Sequence, residues 1–279
     1  MWANFHTHTN YCDGKGSFRE FINKGQVKSI GFSSHAPLPF ISPWAMKEEL
    51  LPVYLGEIQE LKKTEHSIEI YSGLEVDFIP NLISPSDFDS LDYTIGSIHF
   101  VDTLPNGSPW ECDGNHALFL QGLETIFNSN PKAAWVRYFE LTRQMLQQSP
   151  PTILGHFDKM KIQNIESKFF REDEPWYQEE IKKTIQAIKS SGVIVEVNTR
   201  GLYQKKSATH YPSPWILELL KASNIPITLS SDAHHSSQLI NEFETTAHLL
   251  IQLGFKKLSI LTGSQWKEVN FNQTGICFE

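Results

Sequence analysis

Seven short runs rich in Ile, Val and aromatic residues, at 2–5, 29–33, 68–72, 93–97, 152–155, 193–198 and 226–230, alternate with longer helical patterns. The helical patterns lie at 17–24, 47–63, 116–128, 131–148, 174–191, 214–223 and 237–253. Short apolar runs bounded by Gly, Ser, Thr or Asn suit strands buried on both faces, and their alternation with helices predicts an α/β architecture with a parallel sheet. In 174–191, Trp176, Ile181, Ile185 and Ile188 form an apolar stripe opposite Glu and Lys, and Gly192 is a natural stop. An open doubly wound sheet and a closed barrel both satisfy this pattern. The polar residues favour the barrel: His6 and His8, His35, Glu75, His99, His156, Arg200, and Asp232 with His234 follow strand runs. In a closed barrel such residues converge on the C-terminal rim, whereas an open sheet scatters them along its edge. No repeat, linker or low-complexity tract interrupts the pattern, so 1–279 is expected to be one domain. Segment 101–115, with Pro105-Asn106-Gly107 and Pro109, reads as a long loop and a candidate lid over that rim.

His6-Thr7-His8 is followed by Asp13. Two histidines at i and i+2 of an extended segment point to one side and can reach one metal ion. The last strand repeats the theme in Asp232-Ala233-His234, and the first and last strands of a barrel are neighbours across its closure. With His35, Glu75, His99 and His156, nine imidazoles and carboxylates fall on one rim. So many titratable groups need cations to hold them together, and nine ligands exceed the needs of one ion. Two or three ions sharing a bridging carboxylate are expected. Mixed imidazole and carboxylate ligands suit Zn, Mn or Fe better than Mg or Ca. Arg200, after the sixth strand run, is the best non-metal candidate on the rim, because a guanidinium can engage two oxygens of an anion at once.

HTHTxxxDG, SxHAP, GLEVDF, GSIHF, GHFD, EVNTRG and SDAH occur in this order between His6 and His234. The ordered set resembles the polymerase-and-histidinol-phosphatase (PHP) family, closest to its histidinol-phosphate phosphatases. The resemblance implies a distorted seven-stranded (β/α) barrel of TIM-like type. It also implies a trinuclear site: His6, His8, Glu75 and Asp232 on the first ion; bridging Glu75 with His99 and His156 on the second; Asp13, His35 and His234 on the third. A basic phosphate contact is implied shortly after the fifth-strand His-x-Asp, where this chain has Lys161, with Lys159 as its rival. The implied reaction is hydrolysis of L-histidinol phosphate by a metal-bridging hydroxide attacking phosphorus in line. Glu75, Asp232 and His234 would be its catalytic carboxylates and imidazole, with His234 or Asp232 as the candidates for protonating the leaving alkoxide.

The composition narrows the partners. With 24 basic against 32 acidic side chains the net charge is −8, which argues against a nucleic-acid partner and leaves room for a local basic pocket for one phosphate; the small phosphorylated substrate is what the resemblance implies. Asp77, Asp102, Glu111 and Asp113 are candidates for meeting the substrate's ammonium and imidazole, and the loop around 110–113 could select a small amine. The N-terminus has no basic and apolar leader pattern, and no apolar run reaches the ~20 residues of a membrane span. Three cysteines without a CxxC pair fit a reducing compartment, so a cytoplasmic enzyme is expected, monomeric or a small homo-oligomer. Other rivals are a PHP phosphoesterase acting on a different small phosphate ester or nucleotide, and an amidohydrolase-type deaminase or lactonase. His66, His116, His210, His235, His248 and Cys12 are expected to serve packing or surface roles.

Overall fold

The computed structural model describes residues 1–277; the last two residues of the expected 1–279 domain lie outside the described residues. Its strands are β1 (Trp2–Asn4), β2 (Val27–Phe32), β3 (Glu69–Asp77), β4 (Tyr93–Ser97), β5 (Phe100–Thr103), β6 (Pro109–Glu111), β7 (Ile153–Leu154), β8 (Ile194–Asn198), β9 (Ile227–Ser230), β10 (Lys257–Thr262), β11 (Gln265–Asn272) and β12 (Gly275–Ile276). The α-helices are α1 (Phe18–Ile22), α2 (Leu51–Thr64), α3 (His116–Thr125), α4 (Pro131–Gln148), α5 (Pro175–Ser191), α6 (Arg200–Tyr203), α7 (Pro214–Ala222) and α8 (Phe243–Gln252).

Seven strands form one parallel sheet in the order β1-β2-β3-β4-β7-β8-β9. Beyond β1 and β9 the two edges meet: Thr7 bridges Ala233 in parallel, with His8 N–H donating to the Ala233 carbonyl (2.8 Å) and Ala233 N–H to that of His6 (3.1 Å). This short seam closes the barrel. The core strands carry little but buried side chains, as in Ile194–Asn198, where every residue is buried.

The helices follow their apolar stripes. α5 buries Tyr177, Ile181, Ile185 and Ile188, ends at left-handed Gly192 (φ 73°), and packs on α4. Asn130 caps α4 by accepting from Ala133 N–H at 3.2 Å. The expected helix at 237–253 is shorter: a 3₁₀ turn at Ser236–Gln238 precedes α8.

Two segments differ from the sequence reading. The expected loop at 101–115 contains an antiparallel hairpin, β5 with β6, turning at Pro105-Asn106-Gly107. Trp110 is fully buried, its indole donating to the Leu118 carbonyl (3.2 Å), so this part is packed against α3 and is not an open lid. The other is a three-stranded antiparallel sheet, β10-β11-β12, that no strand pattern had flagged. It covers the N-terminal end of the barrel: Thr262 Oγ1 donates to Glu69 at the start of β3 (3.0 Å), and Trp266 meets Phe5 and Tyr93 with ring centroids 5.0 and 6.2 Å apart. Among the described residues no helix is long and apolar enough to cross a membrane.

Candidate metal centre

β1 runs straight into His6-Thr7-His8. Thr7 turns outward, its hydroxyl donating to the Gly31 carbonyl (2.8 Å), so both imidazoles face the barrel axis and are fully buried. Across the seam, Asp232 adopts a left-handed backbone (φ 50°), and His234 stacks on His8 with ring centroids 4.0 Å apart. β3 delivers Glu75 to the centre of the rim. Its Oε2 lies 3.2 Å from His6 Nε2, 3.4 Å from His8 Nε2 and 3.1 Å from His35 Nδ1. Its Oε1 lies 2.8 Å from His156 Nε2 and 3.6 Å from His99 Nε2. Ser97 Oγ also donates to Oε1 (2.7 Å). Asp13, from the loop after β1, stands 3.1 Å from His234 Nε2 and 3.8 Å from His8 Nδ1.

All nine rim residues expected from the sequence are therefore gathered here. Their ligand atoms form four groups, each within 4.8 Å: His8, Asp13, His35 and His234; His6, His8 and Asp232; His6, Glu75 and His156; His35, Glu75 and His99. His6 Nε2, His8 Nε2, His35 Nδ1 and Asp232 Oδ1 are buried without a hydrogen-bond partner, although they face one another. Orphaned polar atoms of this kind are costly unless something electrophilic sits between them, and a divalent transition ion fits that donor set.

The carboxylates and imidazoles perturb one another strongly. Burial would raise the Glu75 carboxyl, but His35, His6 and His99 outweigh it and hold it well below the usual range. Burial likewise opposes ionisation of Asp232, and His6 and Arg200 again prevail. Burial pushes His35 down to about 4, leaving a neutral imidazole able to ligate. His99 is pushed up to about 10, because Asp77 and Asp113 overcome its burial.

Sequence reasoning missed the residues that orient these side chains. Glu196, buried in β8, places Oε1 2.5 Å from His6 Nδ1 and accepts the His156 backbone N–H at Oε2 (2.8 Å). Its signal was a lone carboxylate inside an apolar strand. Asp77, an expected substrate contact, instead lies 3.0 Å from His99 Nδ1 and accepts the His99 backbone N–H (3.0 Å). Carboxylates on the far nitrogen of ligating imidazoles fix ring orientation and tautomer.

A cavity of about 230 Å³ opens onto the cluster. Arg200 lines it from the start of α6, its Nη1 donating to the Asp232 carbonyl (2.6 Å) and lying 2.7 Å from His234 Nδ1. Lys161 does not reach it. Its buried ammonium donates to Asp158 Oδ2 (2.9 Å), Thr209 Oγ1 (3.0 Å), the His210 carbonyl (2.9 Å) and Ser213 Oγ (2.6 Å). The 3₁₀ turn at Lys159–Gln163 directs Lys159 inward instead, 2.9 Å from Asp113 Oδ2 and 3.5 Å from His99 Nε2.

The PHP domain family matches residues 4–200. The histidinol-phosphatase of Bacillus subtilis is 27% identical over 265 residues, spanning 86% of this chain and 96% of that protein. A Schizosaccharomyces pombe protein named "Probable histidinol-phosphatase" is 26% identical over 261 residues, spanning 87% of this chain and 82% of that protein. The crystal structure of histidinol phosphate phosphatase from Lactococcus lactis, complexed with Zn, L-histidinol and phosphate, superposes with a TM-score of 0.71 at 20% identity, covering 99% of both chains. With a match across well over half its length, seven parallel strands and a histidine-carboxylate rim, the chain belongs to the PHP domain family.

Proposed function

We propose that this chain is a metal-dependent phosphomonoesterase that hydrolyses L-histidinol phosphate to L-histidinol and phosphate. The observation that carries this reading is the bridging position of Glu75: its two oxygens face separate sets of imidazoles, beside a cavity walled by Arg200 and Lys159. The similarity to histidinol-phosphatases over most of the chain supports the substrate. Two or three Zn, Mn or Fe ions would be held by His6, His8, Asp13, His35, Glu75, His99, His156, Asp232 and His234. When bound, such ions neutralise phosphate oxygens and make water acidic enough to attack near neutral pH.

The protein's own groups do the rest. Arg200 and Lys159 grip the phosphate, and Asp113 aims the lysine. Glu196 and Asp77 keep the lone pairs of His6 and His99 directed at the centre. Of the two groups suggested for protonating the leaving alkoxide, Asp232 is held too acidic to arrive protonated. Arg200 donates to His234 Nδ1 and leaves Nε2, which faces Asp13, as the nitrogen that would hold an ion; a ring bonded in this way has no proton to give an alkoxide without becoming an imidazolate.

The test is phosphate release from L-histidinol phosphate beside a panel of other monoesters and one diester, after loading with Mn, Zn or Fe. A preference for histidinol phosphate that chelation abolishes is expected. Activity spread evenly over the panel would move the enzyme to another small phosphate ester. Silence on every monoester with metals bound would overturn the reading. A cytoplasmic setting accompanies this proposal, supported by three free cysteines, as does a monomer or small homo-oligomer.

A further inference from the structure

Lys161 turns away from the cavity, yet its charge is buried and fully engaged. Its side chain is 6% exposed, and that of its partner Asp158 is wholly enclosed. A buried ion pair is a poor source of stability, because well-packed apolar residues of the same volume do as well or better. What such a pair supplies is a fixed geometry. The ammonium donates to Thr209 Oγ1, the His210 carbonyl and Ser213 Oγ. Asp158 Oδ2 accepts from the lysine and also from the Ser213 backbone N–H (2.9 Å). These anchors bracket Tyr211 on both sides, and the ammonium stands 5.1 Å from the centre of its ring.

From Tyr211 the constraint passes to Arg200. Asn198, at the end of β8, donates its backbone N–H to the Tyr211 carbonyl (2.7 Å), and Tyr211 N–H donates to that of Asn198 (3.0 Å). Asn198 Oδ1 in turn accepts the Arg200 backbone N–H (2.9 Å). The Tyr211 ring lies against Gly201, where a Cβ would stand 2.9 Å from its Cε2 and Cζ. Arg200 therefore leaves β8 from a backbone clamped by the segment that Lys161 holds. Lys159 needs no such help, being placed by its own 3₁₀ turn and by Asp113. We propose that Lys161 is a positioning residue: it staples the 209–213 segment to the turn at Lys159–Gln163, and through Tyr211 it registers Arg200 against Lys159 across the cavity. This rests on the phosphomonoesterase reading and extends it to what aims the phosphate-gripping guanidinium.

The experiment is calorimetric titration of inorganic phosphate into the metal-loaded protein, beside kcat and KM for L-histidinol phosphate. It compares the wild type, Lys161→Met, Arg200→Met and the double variant. Lys161→Met should keep its metal content and bind phosphate about tenfold more weakly, with kcat/KM falling by a similar factor, chiefly through KM. In the Arg200→Met background the same substitution should cost less than about threefold, because a residue that acts through Arg200 then has nothing to aim. Unchanged phosphate affinity in folded Lys161→Met would overturn the staple and leave the lysine to stability alone. A tenfold loss in both backgrounds would also overturn it, making Lys161 an independent phosphate contact. Thr209→Val with Ser213→Ala removes two of the three ties while the Asp158 pair stays, so it carries the same comparison if Lys161→Met does not fold. If no ester is hydrolysed the phosphatase reading falls, and the phosphate titration decides the staple alone: a tenfold loss confined to the Arg200 background keeps it, and no loss removes it.

Discussion

At the N-terminal end of the barrel Phe5, Tyr93 and Trp266 meet ring against ring, and the Tyr93 hydroxyl donates to the Phe5 carbonyl (2.7 Å). At the C-terminal end His6, His8, His35 and Asp232 bury polar atoms that no hydrogen bond satisfies. One end gains free energy chiefly from desolvated apolar surface, with Trp266 Nε1 the one polar side-chain atom of that trio left without a partner; the other forfeits it by desolvating four such atoms that face one another. Stability and chemistry are thus kept at opposite ends of the same strands. Phe5 and His6, adjacent in sequence, belong one to each.

That division can be broken or sharpened experimentally. The largest effect expected is from Glu75→Ala, which removes the one carboxylate shared between imidazole sets: activity should fall by about a thousandfold or more and bound metal should drop with it. Near-normal turnover and metal content would mean that the bridge is misassigned. At the other end, Trp266→Ala should cost about 2–4 kcal/mol in denaturant unfolding while kcat per folded molecule stays near wild type. A large kcat loss would show that the two ends are coupled.

Glu196→Gln tests the layer between them. It keeps the shape of the His6 contact but removes its charge, so metal affinity should weaken about 10–100-fold with little change in Tm. A loss of Tm without a loss of affinity would place Glu196 with the structural end. The smallest effect concerns a flank remote from both ends, where Glu180 pairs with Arg143 at 2.8 Å. Burial opposes ionisation of Glu180, but Lys183 and Arg143 outweigh it and lower its pKa below the ordinary 4.5. The pair's contribution is therefore complete above that value and fades as pH falls through the folded-state pKa. The Tm gap between wild type and Arg143→Met, worth at most about 1 kcal/mol at neutral pH, should close by pH 3. A gap constant with pH would assign it to packing of the arginine stem.

The rim was legible because a parallel strand announces itself twice, by its apolar run and by the polar residue that ends it. Tyr93–Ser97 and Pro131–Gln148 coincide with their expected bounds, and all nine rim residues converge. Glu196 was hidden because it sits within β8 rather than after it, and an interior carboxylate gives no periodic signal. Lys161 and Lys159 were indistinguishable in sequence, since only the 3₁₀ geometry decides which of two nearby lysines faces the cavity. The antiparallel sheet escaped because its central strand mixes exposed and half-buried residues almost to its end. The hairpin escaped because its turn residues also mark open loops.

The seam between Thr7 and Ala233 has a consequence for how the molecule is made. A ribosome releases His6 and His8 more than two hundred residues before Asp232 and His234. Throughout that interval the early histidines lack the neighbours that give them a purpose. A chain cut short before β9 would carry His6, Glu75 and His156 without the Thr7–Ala233 seam that closes the barrel around them, and the group that joins His6 and His8 to Asp232 would not exist.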